Sequence, residues 1–323
     1  MKIKSILTRR NITNYSSGQI VYEWEDEFSK FLSASVVNDN DMRRSRLCSY
    51  IPVINKFLVG FKDTFVFNMQ WRDNKGLNMH NVYPLIIDFY SREDSELEAF
   101  YDMYRHNPLV MISSCEVFDF LKEKKCPLNI AHLGLSLPDK YRLTNKTRFE
   151  KKYDLVMMGR QNCVLEKYTI KYAQSHPDFT YIRQLLKDGH SVIYDNNDNI
   201  VGEANSREKY MKLLSMGRSV LYSTPDIDTD SKRAHGFNQV TPRFLECIAS
   251  GCHIIARYPN NSDVDYYELD KMVLAKVNSY AEFEKAMDYA RSNDVDFRAY
   301  VNYLDKHYTS VRAIELQSIL EKI

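Results

Sequence analysis

The sequence predicts an α/β protein with two domains, and three observations support this prediction. The chain has 323 residues, which is more than one domain of ordinary size contains. Short runs of β-branched and apolar residues alternate with amphipathic helical patterns in both halves of the chain, as in parallel sheets built from βαβ units. A polar and basic segment without apolar periodicity, Ser136 to Lys152, separates the two sets of elements and predicts an interdomain linker.

The first half of the chain shows one strand pattern after another, with helical patterns between most of them. The predicted strands are Lys2–Leu7, Ser35–Val37, Thr64–Met69, Pro84–Phe89, Pro108–Ile112 and Leu128–His132. The predicted helices are Ile20–Ser33, Ser95–Arg105 and Glu116–Lys124. Because strands joined by helical crossovers are parallel, this order predicts one parallel sheet.

The second half repeats the alternation. Its predicted strands are Asp154–Met158, Ser191–Tyr194, Ser219–Tyr222, Cys252–Ala256 and Lys271–Ala275. Its predicted helices are Glu166–Gln174, Ser206–Met216, the segment between Thr241 and Gly251, Tyr280–Arg291 and Val311–Glu321. We therefore expect two Rossmann-like domains, residues 1–147 and 148–323, with parallel sheets that face each other across a cleft.

Composition excludes several classes of protein. The content of 44% hydrophobic and 27% charged residues is ordinary for a folded soluble protein, and the net charge of +1 argues against nucleic-acid binding by the whole chain. The six cysteines form no CxxC pair, so we expect reduced thiols rather than zinc or disulfides.

The apolar runs also bear on location. No stretch approaches the roughly 20 apolar residues that cross a membrane, and the apolar run in the N-terminal segment is too short for a signal peptide. We expect a cytoplasmic protein, and peripheral membrane association stays open. The basic cluster of Arg43, Arg44 and Arg46 either contacts an anionic membrane or acceptor or lies on a solvated face.

The stretch from Ser219 to Ala256 carries the sharpest local signals. Thr241 suits the N-cap of the helix between its two strands, Pro242 suits the first helical position, and Gly251 suits the left-handed residue beyond the end. The start of this helix offers unpaired backbone N–H groups and a positive potential, to which Arg243 adds a guanidinium. This pattern predicts a binding site for a phosphate or diphosphate.

Other polar residues are expected beside this anion site. Glu246 lies one helical turn further on, where its carboxylate would bind ribose or sugar hydroxyls. His235 and Asn238 are in the loop before the helix, where a sugar or phosphate would lie. The remaining candidates follow or end a predicted strand: Gly159, Arg160 and Tyr222.

The pattern resembles the donor-site region of GT-B glycosyltransferases, both the retaining families and the spore-maturation-like group with a Pro-Arg-x-x-Glu signature. The residues that carry the resemblance are Thr241-Pro242-Arg243-Phe244-Leu245-Glu246, followed by Ala249-Ser250-Gly251-Cys252-His253-Ile254-Ile255-Ala256. Met157-Met158-Gly159-Arg160 is similar to the first strand of the C-terminal domain in that family, and Ile130 to Leu137 is similar to the segment that closes the N-terminal domain.

The resemblance implies a GT-B fold and an enzyme that transfers a sugar from a nucleotide-diphosphate donor. It implies that residues 148–323 bind the donor and that residues 1–147 bind a carbohydrate or lipid-linked glycan acceptor. No metal or other cofactor is expected, because the helix dipole with Arg243 and Arg160 would stabilise the leaving diphosphate. The setting it implies is the synthesis of a bacterial surface polysaccharide such as capsule or O-antigen.

The sequence departs from the retaining pattern at Asn238. The common motif of the family places a second Glu eight positions before the helix Glu, and an asparagine stands there in this chain. An amide can still hydrogen-bond a sugar hydroxyl, but it carries no charge. The departure leaves the stereochemical outcome open, and it keeps a non-catalytic glycan- or nucleotide-binding protein as an alternative.

The catalytic residues are predicted in the first half of the chain. In an inverting transferase a carboxylate or histidine would deprotonate the acceptor hydroxyl. Asp88, which ends an apolar strand, is the favoured candidate, and the others are His132, Asp63 and His80. In a retaining enzyme no protein base is required, and His132 or His80 would position the sugar.

A third alternative is a metal-dependent GT-A transferase. Asp226, Asp228 and Asp230 form a DxDxD run after a strand, and such carboxylates hold the metal of a nucleotide diphosphate in GT-A enzymes. Lys232 and Arg233 follow directly and would neutralise the run, which favours a solvated acidic loop. An NAD-dependent oxidoreductase is disfavoured, because no GxGxxG follows a predicted strand.

Overall fold

The structure is a computed structural model that describes residues 2–10, 19–38, 63–74, 76–187, 190–229 and 234–323. The chain forms two compact units, each with its own sheet. The first unit comprises Met1–Asp139 together with Tyr308–Ile323, and the second comprises Lys140–His307. The cluster of Arg43, Arg44 and Arg46 lies outside the described residues, and so do Asp230, Lys232 and Arg233.

The sheet of the first unit has six strands, and every described pair in it is parallel. The strand order is β2-β1-β3-β4-β5-β6. The strands are β1 (Ser5–Thr8), β2 (Ser35–Asn38), β3 (Thr64–Gln70), β4 (Val82–Asp88), β5 (Val110–Ile112) and β6 (Ile130–His132). This doubly wound order places the carboxyl ends of all six strands at one edge of the sheet, where α/β proteins build ligand sites.

The helices of the first unit are numbered in chain order with those of the second: α1 (Gln19–Leu32), α2 (Asp94–Tyr104), α3 (Cys115–Glu123) and α11 (Thr309–Leu320). Helix α1 covers the sheet with an aromatic cluster, in which Phe28 stacks on Phe65 with ring centroids 5.4 Å apart. Trp24 stacks on Phe67 at 5.7 Å and donates its indole N–H to the carbonyl of Ser136 at 2.9 Å. Buried aromatic area thus joins α1 to the sheet, and the indole hydrogen bond joins α1 to the segment after β6.

The C-terminal helix α11 belongs to the first unit, which the predicted division at residues 147 and 148 did not anticipate. Helix α11 packs against α1 and buries Ala313, Leu316 and Leu320. Its first residue, Thr309, donates its backbone N–H to the carbonyl of Leu137 at 2.9 Å. An amphipathic pattern shows that a helix covers a core, but it does not show which core, so the sequence could not reveal this return of the chain.

The sheet of the second unit has seven strands in the order β10-β9-β8-β7-β11-β12-β13. They are β7 (Tyr153–Met157), β8 (Tyr181–Lys187), β9 (His190–Asp195), β10 (Ile200–Glu203), β11 (Gly217–Ser223), β12 (His253–Arg257) and β13 (Ala275–Lys276). The pairs β8–β7, β7–β11, β11–β12 and β12–β13 are parallel. The pairs β8–β9 and β9–β10 are antiparallel, so the sheet ends in a meander.

The helices of the second unit are α4 (Cys163–Ser175), α5 (Arg207–Ser215), α6 (Pro242–Ala249), α7 (Ser262–Tyr266), α8 (Leu269–Met272), α9 (Tyr280–Ser292) and α10 (Phe297–Leu304). The eight predicted helices of the two units are present, with ends that differ by at most three residues. In the described part of the chain, no helix is both long enough and apolar enough to span a bilayer.

Three features of the second unit differ from the sequence prediction. The predicted parallel strand Ser191–Tyr194 is the antiparallel β9, and its partners β8 and β10 were missed. The predicted strand Lys271–Ala275 is mostly the short helix α8 and its exit. The carboxylate of Asp195 accepts the backbone N–H groups of Asn197 and Asn199, both at 2.9 Å. These hydrogen bonds form the turn between β9 and β10, and its run of Asp and Asn residues is the hairpin signal in the sequence.

Candidate functional site

Helix α6 begins at the carboxyl edge of the second unit's sheet, because it follows β11 and leads into the parallel strand β12. Thr241 is extended and stands at the N-cap, but its side chain makes no capping hydrogen bond. The backbone N–H of Thr241 donates instead to the hydroxyl of Tyr222, at 3.2 Å. Tyr222 is buried, so this hydrogen bond anchors the start of the helix to the core. Gly251 ends the helix with φ +60°, the left-handed conformation predicted for it.

Arg243, on the first turn of α6, joins the ends of two strands. Its Nη1 donates to the carbonyl of Arg160 at 2.8 Å, beyond β7, and its Nη2 donates to the carbonyl of Leu221 at 3.0 Å, in β11. Its Nε is buried and has no hydrogen-bond partner. In the described part of the chain, Arg243 forms no ion pair with a carboxylate. The positive charge of the guanidinium is therefore not neutralised by a described carboxylate at this edge.

Gly159 makes the turn that brings the chain under Arg243. It has φ +68°, and a Cβ there would lie 3.5 Å from Nη1 of Arg243. The side-chain amide of Gln161 braces this turn by donating to the carbonyls of Met158 and Gly159, both at 2.9 Å. The Oε1 of Gln161 is buried without a hydrogen-bond partner. A second buried polar atom without a partner thus lies beside the turn, and no motif in the sequence marked Gln161.

The loop before α6 is shaped by Asp226. Its carboxylate accepts the backbone N–H of Ala234 at 3.0 Å and that of Gly236 at 2.8 Å. Between them, His235 adopts φ +50° and is exposed. The arrangement holds His235 at the tip of a turn rather than in the core.

Asn238 is fixed at the other end of this loop. Its Oδ1 accepts a hydrogen bond from the hydroxyl of Thr224 at 2.8 Å, and its backbone carbonyl accepts one from Asn261 at 3.1 Å. The carboxylate of Asp263, in α7, accepts the backbone N–H of Val240 at 3.1 Å. Residues that follow β12 therefore hold the segment that leads into α6, a contribution that the sequence did not indicate.

Asp228 is engaged by Arg257, so it is not placed to hold a metal ion. The two side chains form a bidentate ion pair in which Nη2 of Arg257 lies 2.6 Å from Oδ1 of Asp228. Asn162 donates to the same carboxylate at 2.9 Å. The hydrogen bond from Arg257 lowers the pKa of Asp228. Among the described residues, no group of three or more His, Cys, Asp or Glu side chains could hold a metal ion.

Glu246 is 4% exposed and points toward helix α5. Its Oε1 lies 2.7 Å from Nη2 of Arg207, the first residue of α5. The Arg207 guanidinium also lies over the ring of Tyr210, 5.2 Å from its centroid. Burial, and then the charge of Glu246, raises the pKa of Tyr210 well above its usual value. The carboxylate predicted to bind hydroxyls is thus one half of a buried ion pair, and its contact with a ligand stays a prediction.

The predicted catalytic residues of the first unit divide between two edges of its sheet. Asp88 ends β4 and His132 ends β6, and both lie at the carboxyl edge with β5 between them. Asp63 precedes β3 and His80 precedes β4, so both lie at the opposite edge. Of the four candidates, the structure therefore brings Asp88 and His132 to the same edge.

His132 is held in a neutral state. Its Nε2 lies 3.3 Å from Sγ of Cys115 and 3.2 Å from the carbonyl of Ser113. Burial lowers the pKa of His132 to about 4. At neutral pH the ring is uncharged, so it can accept a proton, but it is a weak base.

Glu25, in α1, was not marked by the sequence. Its carboxylate accepts hydrogen bonds from the hydroxyl of Thr8 at 2.6 Å and from Nε of Arg10 at 3.1 Å. Thr8 ends β1, so this cluster lies at the same carboxyl edge as Asp88. Burial raises the pKa of Glu25 to about 7, although Thr8 and Arg10 lower it in part. A glutamate inside a polar helical stretch gives no signal of such burial.

The pKa of Glu25 predicts a pH dependence of stability. The folded state binds the proton of Glu25 more tightly than the unfolded state does. The protonated carboxyl therefore stabilises the folded state fully below about pH 4.5, and this stabilisation is lost as pH rises through about 7. The loss is at most about 3 kcal/mol in the free energy of unfolding. We expect Glu25→Gln, which still accepts from Thr8, to flatten urea-unfolding free energies between pH 5 and 8. Glu98→Gln, at an exposed position of α2, is the matched control, and an unchanged pH profile in Glu25→Gln would contradict the assignment.

Comparison with known proteins identifies the fold. No family model matches the sequence, and no curated protein matches it. Among solved structures, sucrose-phosphate synthase from Thermosynechococcus elongatus is similar over 100% of this chain and 99% of its own, with 8% identity and a TM-score of 0.57. AviGT4, a glycosyltransferase involved in avilamycin A biosynthesis, is similar over 99% and 97%, with 11% identity and a TM-score of 0.57.

A third similar structure is HepE from Anabaena, solved in complex with UDP and glucose. It covers 99% of this chain and 100% of its own, with 7% identity and a TM-score of 0.55. The chain spans 60% of the length of the pneumococcal O-GlcNAc transferase GtfA, to which it is also similar, with a TM-score of 0.48. The protein has the GT-B fold that the resemblance implied, and the GT-A alternative is wrong.

Proposed function

We propose that the protein is a glycosyltransferase that moves a sugar from a nucleotide-diphosphate donor to a carbohydrate acceptor. The observation that carries this proposal is the guanidinium of Arg243 on the first turn of α6, which forms no ion pair with a carboxylate among the described residues. The fold supports it, because HepE, which shares the fold, was solved with UDP and glucose. By the resemblance of Thr241–Glu246 to family donor sites, the proposed setting is surface-polysaccharide synthesis, with a carbohydrate or a lipid-linked glycan as the acceptor.

The donor site would use charges that the chain already holds in place. Backbone N–H groups at the start of α6 and the guanidinium of Arg243 would bind the diphosphate. The same groups would stabilise the negative charge that develops on the leaving diphosphate, without a metal ion. Arg160 follows β7 and His235 is in the loop before α6, and both side chains are exposed. They would add contacts to the phosphates or the sugar.

The acceptor would be bound by the first unit. Asp88 is the preferred base for an inverting reaction, because it ends β4 at the carboxyl edge and carboxylates of this kind accept the hydroxyl proton directly. His132 is the weaker candidate, since burial lowers its pKa to about 4. In a retaining reaction His132 would orient the sugar instead.

The test measures nucleotide binding first and chemistry second. Calorimetry of the full chain with UDP, GDP and other nucleotides is expected to show binding below millimolar concentration, and the matching nucleotide sugar is expected to be hydrolysed slowly. Both should persist in EDTA, because the carboxylates of Asp226 and Asp228 are engaged by the protein itself. No nucleotide binding at millimolar concentration, or binding that requires manganese, would overturn the proposal.

A non-catalytic binding protein is the second candidate. Asn238 replaces the charged residue of the retaining motif, and its Oδ1 is taken by the hydroxyl of Thr224. Nucleotide binding without any hydrolysis or transfer from a panel of nucleotide sugars would favour this candidate. Measurable turnover would exclude it.

A further inference from the structure

A cavity of about 470 Å³ lies at the opposite edge of the second unit's sheet from the candidate donor site. It is lined at the amino ends of three parallel strands. Lys151 precedes β7, Arg218 is the second residue of β11, and His253 opens β12. The connection between α9 and α10 completes the wall together with the first turn of α10, which includes Arg298. Cavities of this volume hold small organic ligands.

Two side-chain donors contact the helix ends around this cavity. Nζ of Lys151 donates to the carbonyl of Ser215 at 3.1 Å and to that of Ser250 at 2.9 Å, at the ends of α5 and α6. Nε2 of His253 lies 3.0 Å from the carbonyl of Asn293, at the end of α9. Helix carboxyl ends carry partial negative charge, and these contacts offset it. The potential in the cavity is therefore set by the other charged groups that line it.

Those groups are predominantly cationic. Arg148, Arg218 and Arg298 line the cavity, and the one acidic side chain among the described lining residues is Asp294. Asp294 is 97% exposed, and its carboxylate lies 3.9 Å from Nη1 of Arg218, too far for a strong hydrogen bond. The arginines therefore provide an excess of positive charge, and their forked donors match the oxygens of a phosphoryl group.

An aromatic pair gives the cavity an apolar wall. The rings of Phe149 and Phe297 meet edge to face with centroids 6.3 Å apart. Gly251 lies against them, and a Cβ there would come within 2.8 Å of the Phe149 ring. A glycine is thus favoured at position 251 both by the left-handed φ at the end of α6 and by the close approach of the Phe149 ring. Aromatic faces beside cations suit a ligand with a ring and a phosphate.

We infer that this cavity binds a phosphorylated small molecule, a sugar phosphate or a mononucleotide, at a site separate from the donor site. The phosphoryl group would lie among Arg148, Arg218 and Arg298, and the ring of the ligand would lie against Phe149 and Phe297. The inference stands on the cavity, its charges and its aromatic wall, and it does not depend on the proposed sugar transfer.

Calorimetry of the full chain with glucose 1-phosphate, AMP and inorganic phosphate tests the inference. We expect at least one ester to bind, and we expect Arg218→Gln/Arg298→Gln to weaken that binding about 100-fold, since each charged hydrogen bond contributes on the order of tenfold. Arg105→Gln/Lys285→Gln removes the same charge from exposed positions elsewhere and should bind like the wild type. Arg243→Gln, at the donor site, should also retain the binding.

The inference is overturned if the Arg218→Gln/Arg298→Gln variant keeps the wild-type affinity, or if no ester binds at millimolar concentration. Loss of ester binding in Arg243→Gln alone would assign the ligand to the donor site and would equally overturn it. Equal affinity for inorganic phosphate and for both esters would overturn the assignment to an ester, because the aromatic wall would then contribute nothing. Melting temperatures of all variants check that each is folded.

Discussion

An Arg243→Gln variant is expected to bind nucleotide diphosphates about 100-fold more weakly than the wild type, and the proposed sugar transfer should slow to a corresponding degree. The substitution removes a cation that has no carboxylate partner in the described part of the chain, at the start of α6. Two charge-assisted hydrogen bonds to a diphosphate, each contributing about 1.5 kcal/mol, account for a loss of this size. Calorimetry with UDP and GDP measures the affinity directly.

Matched variants separate charge from geometry at this position. Arg243→Lys keeps the charge but replaces the planar fork that donates to the carbonyls of Arg160 and Leu221 with a single ammonium, so an intermediate affinity is expected. Arg105→Gln removes the same charge from an exposed position elsewhere and should leave nucleotide-diphosphate affinity unchanged. If a folded Arg243→Gln protein kept the wild-type affinity, the guanidinium would not be part of the donor site.

A Glu246→Ala variant is expected to lose about 3–5 kcal/mol of unfolding free energy, the largest stability effect that we predict. The substitution leaves the guanidinium of Arg207, which is largely buried, without its carboxylate partner. Removing one member of a buried ion pair costs more than the pair itself contributes, because the remaining charge stays desolvated. Urea unfolding at neutral pH measures the change.

The partner substitutions distinguish a structural role of Glu246 from ligand binding. The double variant Arg207→Met/Glu246→Leu is expected to recover much of the lost stability, because neither charge remains buried. If Glu246 also binds ribose hydroxyls, Glu246→Gln should weaken nucleotide binding while Arg207→Met leaves it unchanged. A Glu246→Ala protein that unfolds at the wild-type urea concentration would refute the ion-pair argument.

Local signals in the sequence predicted the part of the site that depends on local structure. Thr241, Pro242 and Gly251 placed both ends of α6 correctly, because capping and left-handed turns depend on a few adjacent residues. The alternation of strands and helices likewise predicts that Gly159 and Arg243 lie at one edge of the sheet, because parallel strands end at the same edge.

Long-range pairing was beyond this kind of inference. The sequence showed that Glu246 lies on a helix near an anion site, but its partner Arg207 is on a different helix. The bonds from Arg243 to two backbone carbonyls have no sequence signature, because every residue carries a carbonyl. Glu25 was missed for a similar reason, since its burial depends on Thr8 and Arg10 beyond the helix itself.

The discontinuous first unit has a consequence for biosynthesis. A ribosome releases Met1–Asp139 long before Tyr308–Ile323, and the whole second unit is translated in the interval. Until then the surface of α1 that receives α11 has no cover, so the nascent chain exposes apolar groups that chaperones recognise. The second unit, which is continuous from Lys140 to His307, can complete its fold first, so the order of maturation would be the reverse of the order of synthesis.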